Sequence, residues 1–144
     1  MKKFFLLASA AFVLTLGATA QTKADDVAKF DTEKHDFGKI KQGVPVTYIF
    51  HIKNITDKPL VVESATAACG CTAPEKIVDP IMPGESAPLK VVYNGSGSGV
   101  IDKPVHIKFA GIDMPKTVYL TAEVLSAEAY EVYLKEKDKK PTKN

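Results

Sequence analysis

Two cysteines separated by one glycine are the residues of this chain best suited to chemistry. They are Cys69 and Cys71 in the run Ala67-Ala68-Cys69-Gly70-Cys71-Thr72, and the chain has no other cysteine. A disulfide between them would close a very small ring, which is strained and comparatively easy to reduce. As thiolates they would offer two soft donors to Cu(I) or Zn(II). The third interpretation is a pair of inert, partly buried thiols.

A metal site would need further ligands besides these two cysteines. A closed zinc site takes four ligands, usually in two spaced pairs, whereas this sequence has one pair at an unsuitable spacing. Histidines and methionines supply the remaining candidates, namely His35, His51, His106, Met82 and Met114. The sequence therefore assigns no metal and no cofactor, and Cys69 and Cys71 stay a candidate disulfide, redox pair or metal pair.

Sequence motifs of known catalytic mechanisms are missing. The chain has neither a Gly-x-Ser-x-Gly elbow nor a His-Glu-x-x-His pair. The acidic residues Asp31, Glu33 and Asp36 are spaced as at the solvated edges and turns of short strands. We therefore predict a protein that is not an enzyme.

The first 20 residues have the composition of a secretory signal peptide. Lys2 and Lys3 precede an apolar run from Phe4 to Leu16, and the ending Ala18-Thr19-Ala20 predicts cleavage between Ala20 and Gln21. Beyond it we predict a flexible leader over 21–28, a domain over 29–125, and a short helix with a Lys-rich tail over 126–144. No later apolar run approaches the roughly 20 residues of a membrane-spanning helix, and no cysteine near the cleavage point could carry a lipid. We expect a protein of the periplasm or the exterior, where disulfides persist.

Charge narrows the classes of partner. Removal of residues 1–20, which include Lys2 and Lys3 and no acidic residue, lowers the 19 basic residues to 17, against 17 acidic ones. The sequence contains no arginine, whereas nucleic-acid binding requires a basic surface that is usually rich in arginine. We therefore exclude nucleic acid and expect a protein partner in the cell envelope.

Short runs of alternating apolar and polar residues, separated by turn signals, predict a β-sandwich. The clearest strand is Pro45–Asn54, in which Val46, Tyr48, Phe50 and Ile52 share one face. The run Gly95–Gly99 is expected to be a flexible hairpin connection. After Ser126, apolar residues at helical spacing predict a short helix through Lys137. The fold predicted is all-β, an antiparallel sandwich of about seven to eight strands, from the runs Lys29–Thr32, Asp36–Ile40, Pro45–Asn54, Leu60–Thr66, Ala87–Tyr93, Val100–Phe109 and Lys116–Val124.

Several motifs in a fixed order resemble the bacterial exported family called domain of unknown function 1573. They are His35–Ile40, Phe50–Asn54, Lys58–Leu60, Cys69–Thr72, Ile81–Glu85 and Val92-Tyr93. The similarity spans about Phe30 to Val124, and the Cys-Gly-Cys-Thr block is its hallmark. The sequence departs from the family pattern at Ala110-Gly111, where a Ser-Asn pair often stands.

The resemblance implies an immunoglobulin-like β-sandwich related to the Hydin-type and major-sperm-protein-like modules. It brings no biochemical activity, and a fold alone supplies none. Our functional hypothesis is an exported interaction or scaffolding module whose edge strands accept a partner strand. The alternative is a thiol-redox or copper-handling protein that uses Cys69 and Cys71.

Overall fold

Eight strands form two facing four-stranded sheets in the computed structural model, which describes residues 21–139. The predicted signal peptide and the end of the tail lie outside the described residues. A 3-10 turn, Ala24–Asp26, precedes the strands, and the helix α1 (Ala127–Lys139) follows them. The strands are β1 (Ala28–Phe30), β2 (Lys34–Lys41), β3 (Val46–Asn54), β4 (Val62–Ala67), β5 (Thr72–Pro74), β6 (Ser86–Tyr93), β7 (Gly99–Phe109) and β8 (Lys116–Leu125).

The first sheet has the order β1-β3-β6-β5 and the second has the order β2-β8-β7-β4. The alternation read from the sequence sets the inner faces, since successive side chains of a strand point to opposite sides. In β3 the buried residues Phe50 and Ile52 alternate with the exposed His51 and Lys53. The core between the sheets contains side chains with no measurable exposure, including Phe50, Leu89, Val91, Tyr93, Val105, Ile107, Phe109, Val118 and Leu120. The predicted sandwich is confirmed.

One pair of neighbouring strands departs from the predicted antiparallel arrangement. β2 pairs with β8 in parallel, from Lys34 opposite Tyr119 to Lys41 opposite Leu125. The register shifts between Asp36 and Lys39, where Gly38 has a φ of +66°. Parallel neighbours need a crossover connection, and here the connection comprises β3 to β7, which belong to both sheets. Alternation within a strand carries no information about the direction of its neighbour.

The segment 21–28, expected to be a flexible leader, is instead packed on the domain. Ala24 and Ala28 are buried, and the backbone N–H of Ala24 donates to the Met114 carbonyl at 3.2 Å. The Thr22 N–H donates to Asp113 Oδ2 at 3.2 Å. Polar composition suggested a leader, but these residues make tertiary hydrogen bonds that local sequence does not reveal.

Lys116 in β8 forms ion pairs that hold the start of the domain in place. Its Nζ lies 2.5 Å from Asp25 Oδ1 and 2.5 Å from Glu33 Oε1, and its side chain is 10% exposed. Burial by itself lowers the pKa of this ammonium, but the hydrogen bonds and charges of the two carboxylates outweigh burial, so the pKa of Lys116 is raised. The ion pairs therefore clamp the start of the domain to its last strand.

The C-terminal helix begins where the sequence predicted it. Ser126 caps it, because its Oγ accepts the N–H of Ala129 at 3.2 Å. Glu131 lies 3.5 Å from Lys41 Nζ of β2, and the Lys39 ammonium lies 5.3 Å from the Tyr133 ring centre. Tertiary contacts thus dock a helix too short to persist alone. Within residues 21–139 no helix has the length and apolar character needed to span a membrane.

Candidate functional site

The two cysteines lie on the loop that carries the chain from the second sheet to the first. The loop joins β4 to β5, which are edge strands of different sheets. Cys69 and Cys71 form a disulfide, their Cα atoms are 5.2 Å apart, and that spacing lies within the range a disulfide spans. Both residues are half-buried, and Cys71 packs against the core. The structure therefore presents the pair in its oxidised form, at a junction between the sheets.

Backbone hydrogen bonds hold this disulfide loop at both of its ends. The N–H of Thr72 donates to the Cys69 carbonyl at 3.3 Å, and the N–H of Asn94 donates to the Cys71 carbonyl at 2.9 Å. Thr72 is itself buried, and its Oγ1 lies 3.9 Å from each sulfur. The loop is thus fixed to β5 and to the end of β6, whereas the disulfide itself joins only near neighbours in the chain.

The glycine-rich segment after Asn94 belongs to the same end of the sandwich. It was expected to be a flexible hairpin, but β6 and β7 lie in different sheets, so it is a crossover between them. The Gly43 N–H donates to the Gly95 carbonyl at 2.9 Å, and Gln42 Nε2 donates to the Gly97 carbonyl at 2.8 Å. The Tyr93 hydroxyl donates to the Ser96 carbonyl. Three loops are therefore bonded into one surface, which we call the disulfide end: 42–45, 68–71 and 94–98.

The histidines proposed as ligands lie apart from one another, and each has its own partner. His35 stacks on Tyr48 with ring centres 3.6 Å apart. His106 Nδ1 lies 2.9 Å from Thr117 Oγ1, and His51 Nδ1 lies 3.1 Å from Asp31 Oδ2. Met82 and Met114 are exposed in the connections β5–β6 and β7–β8. In the part of the chain from 21 to 139, no three His, Cys, Asp or Glu residues are grouped as metal ligands.

The pair of Asp31 and His51 is a feature that the sequence patterns did not reveal. Asp31 Oδ1 accepts the N–H of Thr32 at 2.9 Å and that of His51 at 3.0 Å. Burial alone raises the pKa of this carboxyl, but these hydrogen bonds and the His51 ring outweigh burial, so the pKa of Asp31 is lowered. What brings the two residues together is the pairing register of their strands, since the Asp31 N–H also donates to the His51 carbonyl across the strands at 3.2 Å.

A cavity of about 270 Å³ lies over this pair and is also lined by Ser86. Serine, histidine and aspartate are the residues of hydrolase triads, in which the serine hydroxyl bonds the imidazole. Among the hydrogen bonds of residues 21–139, His51 is bonded through Nδ1 and none joins its ring to Ser86. The arrangement does not form a nucleophile and base in contact.

The edge of the second sheet at β4 is the least protected of the four sheet edges. β1 and β5 have three residues each, and β2 carries a register shift with α1 beside it. β4 has a register shift between Val62 and Ser64, but it then runs in continuous register from Ser64 opposite Lys108 to Ala67 opposite Val105. Its residues there are small, with no lysine or proline to oppose a further strand. No strand between residues 21 and 139 pairs with the outer side of β4, so a row of backbone groups there is open to pairing beside the disulfide end.

The two facing sheets define an immunoglobulin-like β-sandwich. The chain belongs to the family described as "Protein of unknown function (DUF1573)", whose sequence profile matches residues 28–124. The predicted family is confirmed. A search of curated proteins finds no significant match.

Solved structures at low sequence identity share this fold. A protein of unknown function from Porphyromonas gingivalis is similar with a TM-score of 0.57 and 19% identity, over 67% of this chain and 46% of that one. The Vibrio cholerae VesB protease is similar with a TM-score of 0.54 and 16% identity, over 70% of this chain and 33% of the protease. This chain thus spans less than half of either protein.

A third structure matches over nearly its whole length. The ASH or PapD-like domain 7 of human CEP192 has a TM-score of 0.57 and 8% identity, over 85% of this chain and 99% of that domain. At such identities the likeness concerns the fold alone.

Proposed function

We propose that this protein is an exported, non-enzymatic immunoglobulin-like module that binds a protein partner in the bacterial periplasm or envelope. The basic and apolar character of residues 1–20 supports export. The observation that carries the proposal is the unpaired edge of β4, since an extended peptide adds to an open sheet edge through backbone hydrogen bonds. The partner is therefore an extended segment of an envelope protein.

The side chains of β4 fit a partner strand with small apolar residues. Ala65 and Ala67 are half-buried and pack against the core, so an added strand would rest its inward side chains beside them. Ser64 and Thr66 are exposed on the strand. The nearby Glu63 and Lys108 neutralise each other at 3.6 Å, so the edge imposes no strong charge on the partner.

Site-specific photo-crosslinking in intact cells tests this proposal. A photoreactive residue at Thr66 is expected to give one discrete adduct, whereas the same residue at the exposed Glu136 of α1 should give none. Ser64→Lys places a charged side chain on the edge and is expected to remove the Thr66 adduct while the circular dichroism spectrum stays unchanged. Equal labelling from both positions, or an adduct that survives Ser64→Lys, would refute strand addition at β4.

A thiol-redox or copper-handling role is the second candidate, and the half-exposed disulfide supports it. The bridge spans two residues of separation and ties no distant elements together. A thiolate that attacks either sulfur would release the other as a thiol, and a second thiol of the donor would complete the reduction. The reduced pair would offer two soft sulfur donors to Cu(I).

Intact mass with and without alkylation separates the two roles. In buffers of graded thiol and disulfide ratio, a redox protein is expected to change from no alkylated cysteine to two near the potential of its compartment. Elemental analysis of the reduced protein after exposure to Cu(I) tests metal binding, with Cys69→Ser/Cys71→Ser as the control. A bridge that resists all these ratios, together with equal copper in both proteins, would eliminate this candidate. The same masses test cleavage after Ala20.

A further inference from the structure

Three polar side chains lie side by side across the outward face of the first sheet. Lys29 of β1 stands directly opposite Lys53 of β3, and Lys53 stands directly opposite Ser86 of β6. All three residues are exposed. Like charges directly opposite each other destabilise a sheet, so the two lysines occupy an unfavourable arrangement unless something neutralises them.

The described residues, 21–139, supply no counter-ion to this lysine pair. The ion pairs found between residues 21 and 139 involve other lysines, and neither Lys29 nor Lys53 has a carboxylate within 4.0 Å. Lys90, on the same face, is by contrast 2.7 Å from Glu75. The sheet therefore neutralises one of its outward lysines and leaves two adjacent ones open.

The carboxylate of Asp31, which lines a cavity together with these two lysines, accepts hydrogen bonds from other donors. Asp31 accepts two backbone N–H groups and lies 3.1 Å from His51 Nδ1. This contact orients the imidazole, and no hydrogen bond in the described part of the chain uses its Nε2. Asp31 thus positions His51 beside the lysines, and none of the ion pairs found within residues 21–139 joins its carboxylate to Lys29 or Lys53.

We propose that Lys29, Lys53, His51 and Ser86 form a binding site for a dianionic oxyanion, a phosphate group or a dicarboxylate. Two ammonium groups match two negative charges, the Ser86 hydroxyl adds a hydrogen-bond donor, and the His51 ring, held by Asp31, forms a wall of the cavity. The four residues line the cavity of about 270 Å³ together with Phe30 and Asp31, which exceeds the roughly 30 Å³ share of one water many times over. This site is independent of the partner strand proposed at β4.

Titration of inorganic phosphate into the nitrogen-15-labelled protein tests the site. We expect saturable shifts of the amide signals of Lys29, His51 and Lys53. Lys53→Gln should weaken binding about two- to fivefold, because each contact is solvent-exposed, and Lys29→Gln/Lys53→Gln should weaken it further. Lys90→Gln removes one charge from the same face and should leave the affinity unchanged. A parallel titration with malonate distinguishes a phosphate ligand from a dicarboxylate.

Sodium chloride at matched ionic strength separates binding from general screening of the lysine pair. If chloride produces the same shifts as both dianions, or if Lys90→Gln weakens binding as much as Lys53→Gln, the proposal is wrong. The unfolding temperature gives a second measure. Without phosphate, Lys53→Gln should unfold at a higher temperature than the wild type because repulsion is relieved. If Lys53→Gln instead unfolds at a lower temperature than the wild type, Lys53 stabilises the fold, which contradicts the proposal that it serves binding and destabilises the sheet.

Discussion

The backbone N–H of Asn94 donates to the carbonyl of Cys71 at 2.9 Å, which makes the disulfide loop and the crossover between the sheets parts of one structure. Asn94 directly follows β6, and Cys71 directly precedes β5. These two strands are neighbours in the first sheet. A change at the disulfide therefore acts directly on the position of the crossover.

Replacement of both cysteines by serine should leave the protein folded. A bridge that closes so short a loop contributes about 1.5 kcal/mol through chain entropy, roughly half the value for a loop of 15 residues. Urea denaturation should show this loss for Cys69→Ser/Cys71→Ser and a similar loss for the reduced wild type. An unfolded variant would mean that the disulfide holds the loop in a way that its backbone hydrogen bonds do not.

Two glycines at the disulfide end should differ strongly in how much stability is lost when each is replaced by alanine. A Cβ at Gly70 would meet no atom within 4 Å, and the backbone there has no positive φ, whereas Gly95 has a φ of +73° and its Cβ would lie 2.5 Å from the Val44 carbonyl oxygen. Gly70→Ala should change the free energy of unfolding by less than about 0.5 kcal/mol. Gly95→Ala should cost about 2 kcal/mol or more. Equal effects in urea denaturation would be inconsistent with this packing.

Asn54 should be far more sensitive to alanine than Asn94. The Asn54 side chain is completely buried, and its Nδ2 donates to the carbonyls of Lys58 at 2.7 Å and Ile81 at 2.8 Å. Asn54→Ala removes these two buried bonds together with the two that Thr56 donates to Asn54 Oδ1, and should cost roughly 3 kcal/mol. Asn94 is exposed, and Asn94→Ala loses one bond to Ser96 and should cost under about 1 kcal/mol. A calorimetric comparison that shows the reverse order would rule out this role for Asn54.

Removal of the partners of Lys116 should destabilise the protein more than removal of Lys116 itself. Asp25→Asn/Glu33→Gln leaves an uncompensated ammonium in a site where the lysine is 10% exposed, and should cost about 2 to 3 kcal/mol. Lys116→Met should cost about 1 kcal/mol, because it removes the charge together with its need for partners.

The pH dependence of this clamp has a defined sign. The folded pKa of Lys116 is raised above its ordinary value of 10.5, so the folded protein retains the proton longer than the unfolded chain does. The stabilisation is therefore fully present below pH 10.5 and is lost as the pH rises through the higher folded value. The difference in unfolding free energy between wild type and Lys116→Met should be constant from pH 7 to about 9.5 and decrease above it. A difference that grows with pH would contradict the pairing.

The spacing of apolar residues was enough to predict seven of the eight strands and the helix. It found β3 and β8 because each is long and has one buried face. β5 escaped because Thr72–Pro74 is too short to alternate. The parallel pairing of β2 and the crossover after Asn94 were not predicted, because strand pairing depends on contacts between residues far apart in the chain.

The candidate site was only partly accessible to the same reasoning. The spacing of Cys69 and Cys71 pointed to one local pair, but not to its place between the two sheets. The neighbours Lys29 and Lys53 are 24 positions apart, and each looks like an ordinary surface lysine until the strand register brings them together. The repulsion between the two ammonium groups arises only from that register, so neither local sequence indicates it.

The parallel pairing of β2 with β8 also sets the order in which the molecule can be completed. β2 ends at Lys41, and the strand beside it begins only at Lys116, so nearly the whole chain must be available before the second sheet can close. Contacts between such distant residues slow folding, because the loop must be ordered before its ends meet. A chain interrupted before Lys116 would leave Ile40 without its strand neighbour Val124, so the second sheet cannot close until β8 is present.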